Sequence, residues 1–548
     1  MILFFGFIIA VFMTMVLIQP LMRLAERLQI VDIPDGRKVH TVAIPRIGGV
    51  AMVVGAMLPV VMWLMPQKHI TSFLAGVAII LFFGVWDDRK NLDYRLKFLG
   101  QIVAILIVVV YGGIAIKFVP FWPGPVPDYV AIPLTVFALL GITNAINLAD
   151  GLDGLAGGTT LLSLGMIAIL AYMADGTEVV LIAVSVMGSI LGFLRYNTYP
   201  ARIFMGDGGS QFLGFSTGVL AIMLTQQVNP MLSPAISVVI LGLPILDTVW
   251  VIGQRIYEGR SAFLPDKNHI HHKLLSLGFI HYEAVSLIYL AQFIFVLGAY
   301  FLRFRSDFAV VSFYLLFCLV TAVFFRMAKM TGWRLHVQHD RGTLPIERWI
   351  RWLRQDDRLL KAAFYFAVSV ITLVLVAGAL YVETVSTDIA SLAGILLLVL
   401  LASYLKRSGK PFHIIERGVA YITVAMVVYL AQISPGPLAD FALLRNILLA
   451  GLVLAVAIGF RFSHTGNFNG TPMDVLVIFI ALAVPNLPDL HLLPLGGASV
   501  GVEIAKLIVL FYGIELVLNN TERRWNIMRW VIFSTLGILV TRGAQVPW

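Results

Sequence analysis

Long apolar segments recur along almost the whole chain, and they constrain its fold more than any other feature. About 20 apolar residues in a helix match the thickness of a bilayer. Hydrophobic residues make up 59% of the 548 residues and charged residues only 13%, whereas charged residues are about a quarter of a soluble domain. A soluble globule could not cover so much apolar surface, so we predict an all-α polytopic integral membrane protein.

The pattern divides the chain into three parts. Residues 1–328 contain about eleven candidate membrane helices, and residues 363–548 contain about six or seven more. Between them, 329–362 is basic, and apolar residues at helical spacing in 346–353 alternate with arginines. This linker is either an amphipathic helix on an anionic leaflet or an ordinary solvated connection. The eleven segments are 2–20, 48–66, 71–86, 98–118, 129–147, 157–174, 178–194, 209–226, 233–253, 282–302 and 308–327.

The net charge of +9 would suggest nucleic-acid binding in a soluble protein, but here the cations lie in loops between apolar segments. Their distribution therefore indicates topology, and we expect no nucleic-acid partner. Because 21–47 is basic, we predict a cytoplasmic loop there and an N-terminus outside. Residues 87–97, 148–156, 195–208 and 254–281 are then cytoplasmic too. The single cysteine, Cys318, excludes an intramolecular disulfide and a cysteine metal site.

Adjacent carboxylates, Asp87 and Asp88, follow the third apolar segment. They repel each other unless a cation or a basic partner compensates their charge. The alternative is a solvated helix end balanced by the neighbouring Arg89 and Lys90.

A second acidic pair, Asp150 and Asp153, follows the fifth segment, just after Asn144 and Asn147. Residues three apart share a helix face. Because no Lys or Arg lies between Lys117 and Arg195, these carboxylates suggest a metal or a hydrogen-bonding ligand. A glycine-rich turn with solvated aspartates is the alternative.

A glycine-rich turn, Gly206 to Ser210, contains Asp207 and follows Asn197. Glycines let a backbone approach a ligand closely, and free amides can bind phosphate. Asp207 is a candidate Mg²⁺ ligand, because Mg²⁺ commonly takes one or two carboxylates together with phosphate oxygens and water.

The loop 254–281 contains Arg260 and the histidines His269, His271 and His272. Zinc usually needs a wider set of ligands, and the cations nearby favour phosphate. Phosphate contact, a zinc site and a structural role all remain open. Lys38 and His40 in the loop 21–47 offer further donors for phosphate at the same predicted face.

These motifs, taken in order, resemble the polyprenyl-phosphate N-acetylhexosamine-1-phosphate transferase superfamily, of the glycosyltransferase family 4 type. The resemblance covers roughly residues 1–328, and the His-Ile-His-His form is similar to the undecaprenyl-phosphate GlcNAc-1-phosphate transferase branch. The matching stretches are Arg37 to His40 with Pro45 to Gly49, Asp87-Asp88, Asn144 to Leu155, Asn197 to Ser210 and His269 to His272.

The resemblance implies roles for the site residues. Asp207 would bind Mg²⁺, with Mn²⁺ as a substitute ion, and Asp150 is a less certain metal ligand. The three catalytic residues would be Asp207, at the UDP diphosphate, and Asp87 and Asp88, at the side of the lipid phosphate. The expected substrate-binding residues are Lys38, His40, Asn144, Asn147, Asp150, Asp153, Asn197, Arg260, His269, His271 and His272.

The implied reaction transfers N-acetylhexosamine-1-phosphate, GlcNAc-1-phosphate by default, from a UDP-sugar to undecaprenyl phosphate with release of UMP. It would be the first membrane step of cell-envelope polysaccharide synthesis, at the cytoplasmic face of a bacterial plasma membrane. Whether the protein forms a homodimer is left open. The alternatives are a phospho-MurNAc-pentapeptide translocase and a non-enzymatic lipid or sugar transporter. A transporter is disfavoured because the charges gather on one face and not at the midplane. The role of 363–548 is not predicted.

Overall fold

The computed structural model describes residues 2–32, 43–259, 268–335, 358–405, 413–433, 436–462, 497–519 and 525–543. The chain divides into two compact units, whose described residues run from 2 to 335 and from 358 to 543. Nine described helices are long and apolar enough to cross a membrane, with four shorter apolar ones. The prediction of an all-α polytopic membrane protein is confirmed. The domain boundaries at 328 and 363 stay predictions, and the linker helix at 346–353 lies outside the described residues.

The eleven apolar segments of the first unit lie mostly on described helix, although the predicted segment 98–118 leaves the helix after Tyr111. The helices are α1 (Ile2–Leu28), α2 (Gly48–Trp63), α3 (Lys68–Lys90), α4 (Tyr94–Leu106), α5 (Asp128–Ala149), α6 (Leu155–Tyr172), α7 (Thr177–Asn197), α8 (Gly206–Met223), α9 (Ile236–Ile240), α10 (Gly242–Tyr257), α11 (Ile270–Ser276), α12 (His281–Leu302) and α13 (Asp307–Thr331). The π-helical segments Ile107–Tyr111 and Leu224–Val228 prolong α4 and α8. Two short strands, Val31–Asp32 and Ile44–Pro45, pair antiparallel.

The segment 233–253, predicted as one helix, is instead broken into α9 and α10 at Leu241. Gln292 on α12 makes the break possible. Its amide accepts a hydrogen bond from the Leu243 N–H at 3.0 Å and donates one to the Ile240 carbonyl at 2.8 Å. A helix can be interrupted inside a membrane protein where a neighbouring side chain satisfies the freed backbone groups.

The helix α8 is central to the first unit, since every residue from Gly208 to Met223 is buried. Glycines bring it unusually close to its neighbours. A Cβ added to Gly84 on α3 would meet the Gly208 Cα at 2.3 Å, and one added to Gly49 on α2 would meet the Gly209 nitrogen at 2.3 Å. Any larger residue would push α8 away, so small residues fix the start of this helix against α2 and α3.

The second unit has six described helices around an aliphatic core. They are α14 (Arg358–Tyr381), α15 (Thr387–Leu405), α16 (His413–Ile433), α17 (Ala442–Phe462), α18 (Gly497–Asn519) and α19 (Trp525–Gly543). The predicted span near 474–485 lies outside the described residues. Inside the unit, the Glu515 carboxylate of α18 accepts a hydrogen bond from the Tyr421 hydroxyl and lies 3.6 Å from the Arg417 guanidinium of α16.

Candidate active site

Helices of alternating direction bring the predicted motifs of the first unit to one end of it. The helices α3, α5 and α7 end there, with Asp87-Asp88, Asn147 and Asn197 in their last turns, and α8 begins there with Asp207 in its first turn. The polar residues thus lie where membrane helices stop, which is where charged groups cost least.

Asp88 binds the start of α8. Its two carboxylate oxygens accept hydrogen bonds from the backbone N–H groups of Asp207 and Gly208, at 2.9 and 3.3 Å. A carboxylate at a helix N-terminus satisfies amides that have no partner within the helix and interacts favourably with the helix dipole. These two amides therefore already have an acceptor, although the glycine-rich turn alone suggested free amides for phosphate.

Lys97, in the first turn of α4, joins the other two catalytic candidates. Its ammonium group lies 3.0 Å from the Asp87 carboxylate and 2.5 Å from that of Asp207. Asp87 also accepts a hydrogen bond from the Leu92 N–H at 2.7 Å, which fixes its orientation. The Asp207 side chain is 31% exposed and that of Asp87 10%, so Asp207 is the carboxylate that a ligand reaches more easily.

The turn 150–154 carries the second acidic pair and closes against neighbouring loops. Asp153 accepts a hydrogen bond from the Ala201 N–H at 2.9 Å. Asp150 follows the last turn of α5, and its pKa is raised to about 7, chiefly by burial and then by the nearby carboxylates of Asp207 and Asp153. The acidic groups of the two motifs therefore lie close enough to act on one another.

Amide side chains connect α4, α5 and α8 beneath the carboxylates. Asn144 donates a hydrogen bond to the Gln101 carbonyl oxygen at 2.8 Å, and Gln101 donates one to Gln211 at 3.0 Å. Asn147 accepts one from the Ser210 hydroxyl at 2.8 Å. The two predicted asparagines thus hold the start of α8 in place, in addition to any contact with substrate.

Asn197 is 2% exposed and joins two loops. Its carbonyl oxygen accepts a hydrogen bond from the Gly154 N–H at 2.9 Å, and its amide donates one to the Ile203 carbonyl at 2.8 Å. Tyr289 of α12 donates a hydrogen bond to the Gly154 carbonyl at 2.7 Å on the same turn. These contacts position the acidic turn against the loop that leads to Asp207.

Replacing Asn197 by Ala is expected to destabilise the protein, because both backbone groups would lose buried partners at a cost of about 1–3 kcal/mol each. Thermal unfolding in detergent measures the effect. The half-buried Asn229 beyond α8 provides the matched control Asn229→Ala. Equal stability of the two variants would contradict a positioning role for Asn197.

The histidine motif lies at the start of α11. A buried carboxylate of α10, Asp247, accepts a hydrogen bond from the Ile270 N–H at 2.7 Å and lies 2.8 Å from the His269 Nδ1. His271 approaches the acidic turn so closely that a Cβ on Gly151 would lie 2.2 Å from its Nε2. Burial, and next the neighbouring His272, lowers the pKa of His271 to about 3. At neutral pH His271 therefore offers hydrogen bonds and not a positive charge.

Replacing Asp247 by Asn should disturb His269 specifically. The new side chain can still accept from the Ile270 N–H, but its NH₂ group would face Nδ1 and move the ring proton to Nε2. We expect a loss of about 10- to 100-fold in the rate of the transfer that the resemblance implies, as large as the loss when a group that orients a metal-bound histidine is removed.

A double-mutant cycle with His269→Gln tests this assignment. If Asp247 acts through His269, the double variant should be about as slow as the slower single variant. Losses that simply multiply would instead indicate two independent roles.

Two of these groups were not predicted from the sequence. Lys97 belongs to the predicted loop 87–97, which also contains Arg89, Lys90 and Arg95. The sequence alone does not show which of these four cations folds back onto the acidic pair. Asp247 is the single acid of the apolar segment 233–253, and an isolated carboxylate in such a segment is itself a signal of a site. Lys38, His40 and Arg260 lie outside the described residues.

The carboxylates could hold a divalent cation. The carboxylates of Asp87 and Asp207 already bind one positive group between them, the Lys97 ammonium. Carboxylate oxygens are also the ligands that Mg²⁺ prefers. Within the described ranges, no group of three or more His, Cys, Asp and Glu side chains is arranged to hold a metal without other ligands. A metal here would need oxygens from a substrate as well, which is the usual arrangement for Mg²⁺ at phosphate groups.

Comparison with known proteins agrees with this site. Residues 70–225 match the family described as glycosyl transferase family 4. A protein of Bacillus subtilis named probable undecaprenyl-phosphate N-acetylglucosaminyl 1-phosphate transferase is 38% identical over 326 residues, which are 58% of this chain and 90% of that protein. The decaprenyl-phosphate N-acetylglucosaminephosphotransferase of Mycobacterium leprae is 37% identical over 310 residues, 50% of this chain and 77% of that protein.

A third relative, the undecaprenyl-phosphate alpha-N-acetylglucosaminyl 1-phosphate transferase of Escherichia coli K12, is 29% identical over 282 residues, 49% of this chain and 75% of that protein. The chain therefore belongs to glycosyl transferase family 4. The resemblance to the polyprenyl-phosphate N-acetylhexosamine-1-phosphate transferases and their GlcNAc-1-phosphate branch is confirmed.

Proposed function

We propose that the protein is a polyprenyl-phosphate sugar-phosphate transferase. It moves N-acetylhexosamine-1-phosphate, with GlcNAc-1-phosphate as the first candidate, from a UDP-sugar to undecaprenyl phosphate and releases UMP. The names of its relatives support the polyprenyl-phosphate and GlcNAc-1-phosphate parts. The observation that carries the proposal is the pair Asp87 and Asp207 bound to Lys97 at the ends of membrane helices, with Asp88 holding the start of the helix that carries Asp207. Acidic and basic groups in one place suit the transfer of a charged phosphoryl group between two phosphates.

Mg²⁺ is the proposed cofactor, with Mn²⁺ as a substitute, held by Asp207 and, with less support, by Asp150. When bound, the ion would supply neutralisation of the diphosphate charge. The oxygen ligands fit this ion, and Asp207 is exposed enough to meet a substrate.

In the proposed reaction an oxygen of the polyprenyl phosphate attacks the β-phosphorus of the UDP-sugar. A new P–O bond forms, the P–O bond to the bridging oxygen breaks, and that oxygen leaves with UMP. The attacking phosphate is already largely ionised at pH 7, since its second pKa is about 6. A general base therefore contributes little, and alignment and charge neutralisation dominate.

The protein's own residues would provide that alignment. Lys97 is proposed to turn from the carboxylates towards the diphosphate, because an ammonium group at this position can reach phosphate oxygens as well as Asp207. The histidine motif would bind the substrate by hydrogen bonds, with His271 as a donor to phosphate. His269, whose Nδ1 is oriented by Asp247, would present Nε2 as an acceptor to a hydroxyl or N–H group of the substrate. Lys38 and Arg260 are proposed as further phosphate ligands on the strength of the sequence alone.

The hydrogen bonds of Asp88 bear on the choice between direct displacement and a covalent intermediate. Both of its oxygens accept bonds from the α8 backbone, so an attack by Asp88 on phosphorus would have to break the cap of that helix. This disfavours Asp88 as the nucleophile of a covalent intermediate, and Asp88 is instead proposed as the residue that positions Asp207. The proposed setting is the cytoplasmic face of a bacterial plasma membrane, and the possible homodimer is a further question for the purified protein.

The first experiment measures UMP release by the detergent-purified full chain with undecaprenyl phosphate, Mg²⁺ and a panel of UDP-sugars. Release should require the lipid, stop with EDTA, return with excess Mg²⁺ and be fastest with UDP-GlcNAc. Preference for UDP-MurNAc-pentapeptide would favour the translocase instead. A folded protein that releases no UMP from any donor would refute the proposed activity.

A further inference from the structure

A second cation, Arg46, adjoins the candidate active site and has no part in the proposed reaction so far. It lies between the strand Ile44–Pro45 and the start of α2. Its Nη2 is 3.1 Å from the carboxylate of Asp32. The Asp32 side chain is 9% exposed and that of Arg46 37%. A buried carboxylate thus anchors a guanidinium group that a ligand can still reach, and one ion pair occupies only part of the N–H donors of a guanidinium.

Backbone hydrogen bonds already hold Arg46 against the loop before α8. The Arg46 N–H donates to the Ile30 carbonyl at 3.0 Å, and the Phe204 N–H donates to the Pro45 carbonyl at 2.8 Å. A Cβ added to Gly206 would lie 2.7 Å from the Arg46 carbonyl oxygen. Because the backbone of this segment is fixed in these ways, the ion pair with the buried carboxylate serves chiefly to orient the guanidinium group.

The charge of Arg46 acts on three carboxylates of the site. Its guanidinium interacts electrostatically with Asp88 and Asp207. Burial, and then the charges of Asp207 and Asp153, raise the pKa of Asp150 to about 7, and Arg46 acts on that group in the opposite direction. The guanidinium group is therefore within electrostatic range of both proposed Mg²⁺ ligands.

An anionic substrate needs cations at this place. Carboxylates repel an approaching diphosphate, and a bound metal ion and basic side chains offset that repulsion. Lys97 is one such side chain and is bonded to Asp87 and Asp207. Arg46 is another, and its planar guanidinium can donate two parallel hydrogen bonds to one phosphate group, which a lysine cannot do.

We propose that Arg46 is a substrate-binding residue whose guanidinium group donates hydrogen bonds to the diphosphate of the sugar nucleotide, and that Asp32 is the positioning residue that orients it. This inference rests on the proposed function. The diphosphate is favoured over the lipid phosphate because Arg46 acts on Asp150 and Asp207, the residues proposed to hold Mg²⁺ at the diphosphate.

Equilibrium binding of UDP to the detergent-purified full chain in Mg²⁺ tests the contact without turnover. Arg46→Gln should weaken UDP about 10- to 100-fold, the loss expected when charge-assisted hydrogen bonds to phosphate disappear. The affinity for uridine, which has no phosphate, should not change. Arg46→Lys should be intermediate, because it keeps the charge and loses the planar group.

Steady-state UMP release separates the two substrates. In Arg46→Gln the KM of UDP-GlcNAc should rise by a factor similar to the loss of UDP affinity, and the KM of undecaprenyl phosphate should stay the same. The matched control is Arg195→Gln, which removes the same charge from an exposed arginine in the last turn of α7 and should leave both constants unchanged.

The role of Asp32 is tested by Asp32→Asn, which keeps the size of the side chain and removes its charge. We expect a smaller rise in the KM of UDP-GlcNAc than in Arg46→Gln. The double variant should be no worse than Arg46→Gln alone, since a positioning residue has no effect once the group that it orients is gone. Losses that multiply would show that Asp32 does not act through Arg46.

Unchanged UDP affinity in a folded Arg46→Gln protein would overturn the proposal, as would an equal loss of uridine affinity or a rise in the lipid KM alone. Thermal unfolding checks the fold, and Arg46→Lys provides the comparison of UDP with uridine if Arg46→Gln does not fold. Normal UMP release with UDP affinity independent of Arg46 overturns this contact and leaves the transferase intact. UDP affinity that depends on Arg46, without release from any donor, supports the contact and refutes the transferase.

Discussion

Replacing Asp207 by Asn is expected to slow sugar-phosphate transfer by about 10²- to 10³-fold, the loss typical of removing one group that stabilises developing charge. The substitution keeps the size of the side chain and the N-terminal turn of α8, but it removes the negative charge that faces Lys97 and the proposed Mg²⁺. UMP release at saturating lipid measures the rate. The apparent Mg²⁺ concentration for half-maximal activity should rise as well.

Asp128→Asn is the matched control for this prediction. Asp128 begins α5 at the end away from the candidate site, and its carboxylate is 72% exposed beside Lys117, so a surface charge there should matter little. An Asp207→Asn variant with normal activity and normal Mg²⁺ dependence would show that Asp207 is not a metal ligand.

Replacing Lys97 by Met is expected to lower kcat/KM by about 10²-fold or more, since a positioned cation on transferring phosphates has an effect of that order. Two changes contribute. Asp87 and Asp207 lose the cation between them and repel each other, and the diphosphate loses a donor. Kinetics with varied UDP-GlcNAc and Mg²⁺ separate these contributions, because loss of the donor raises the KM of the sugar nucleotide.

We expect a raised KM that excess Mg²⁺ does not restore, with Lys97→Arg intermediate because it keeps the charge but changes its shape. Lys90→Met is the control, since Lys90 is an exposed lysine at the end of α3. Full recovery of Lys97→Met in excess Mg²⁺ would mean that the lysine serves only to balance the two carboxylates.

The helices and the end of the unit that carries the site could be predicted from the sequence, because hydropathy reports membrane spans directly. Alternation of span direction was enough to predict that Asp87, Asp150 and Asp207 belong to one end of the protein. The break between α9 and α10 could not be predicted, since it depends on Gln292, about 50 residues further along the chain.

The separate roles of the polar residues could not be predicted from the sequence either. Asp87 and Asp88 are adjacent and chemically identical, yet one binds Lys97 and the other caps α8. The roles differ because successive residues of a helix point about 100° apart, and this determines which neighbour each carboxylate meets. In the same way, Asn197 is predicted by resemblance to bind substrate, while its described hydrogen bonds all join protein loops.

The glycine contacts of α8 have a consequence for how enzymes of this design can diversify. Asp207 is held by backbone packed directly on backbone, at Gly84 against Gly208 and at Gly49 against Gly209. These contacts involve no side chains that could be exchanged. A substitution at any of these glycines would displace the carboxylate, so a preference for a new sugar cannot evolve there. New donor preferences must instead arise in the loops around the site, which can change in length and composition while the reaction centre stays rigid.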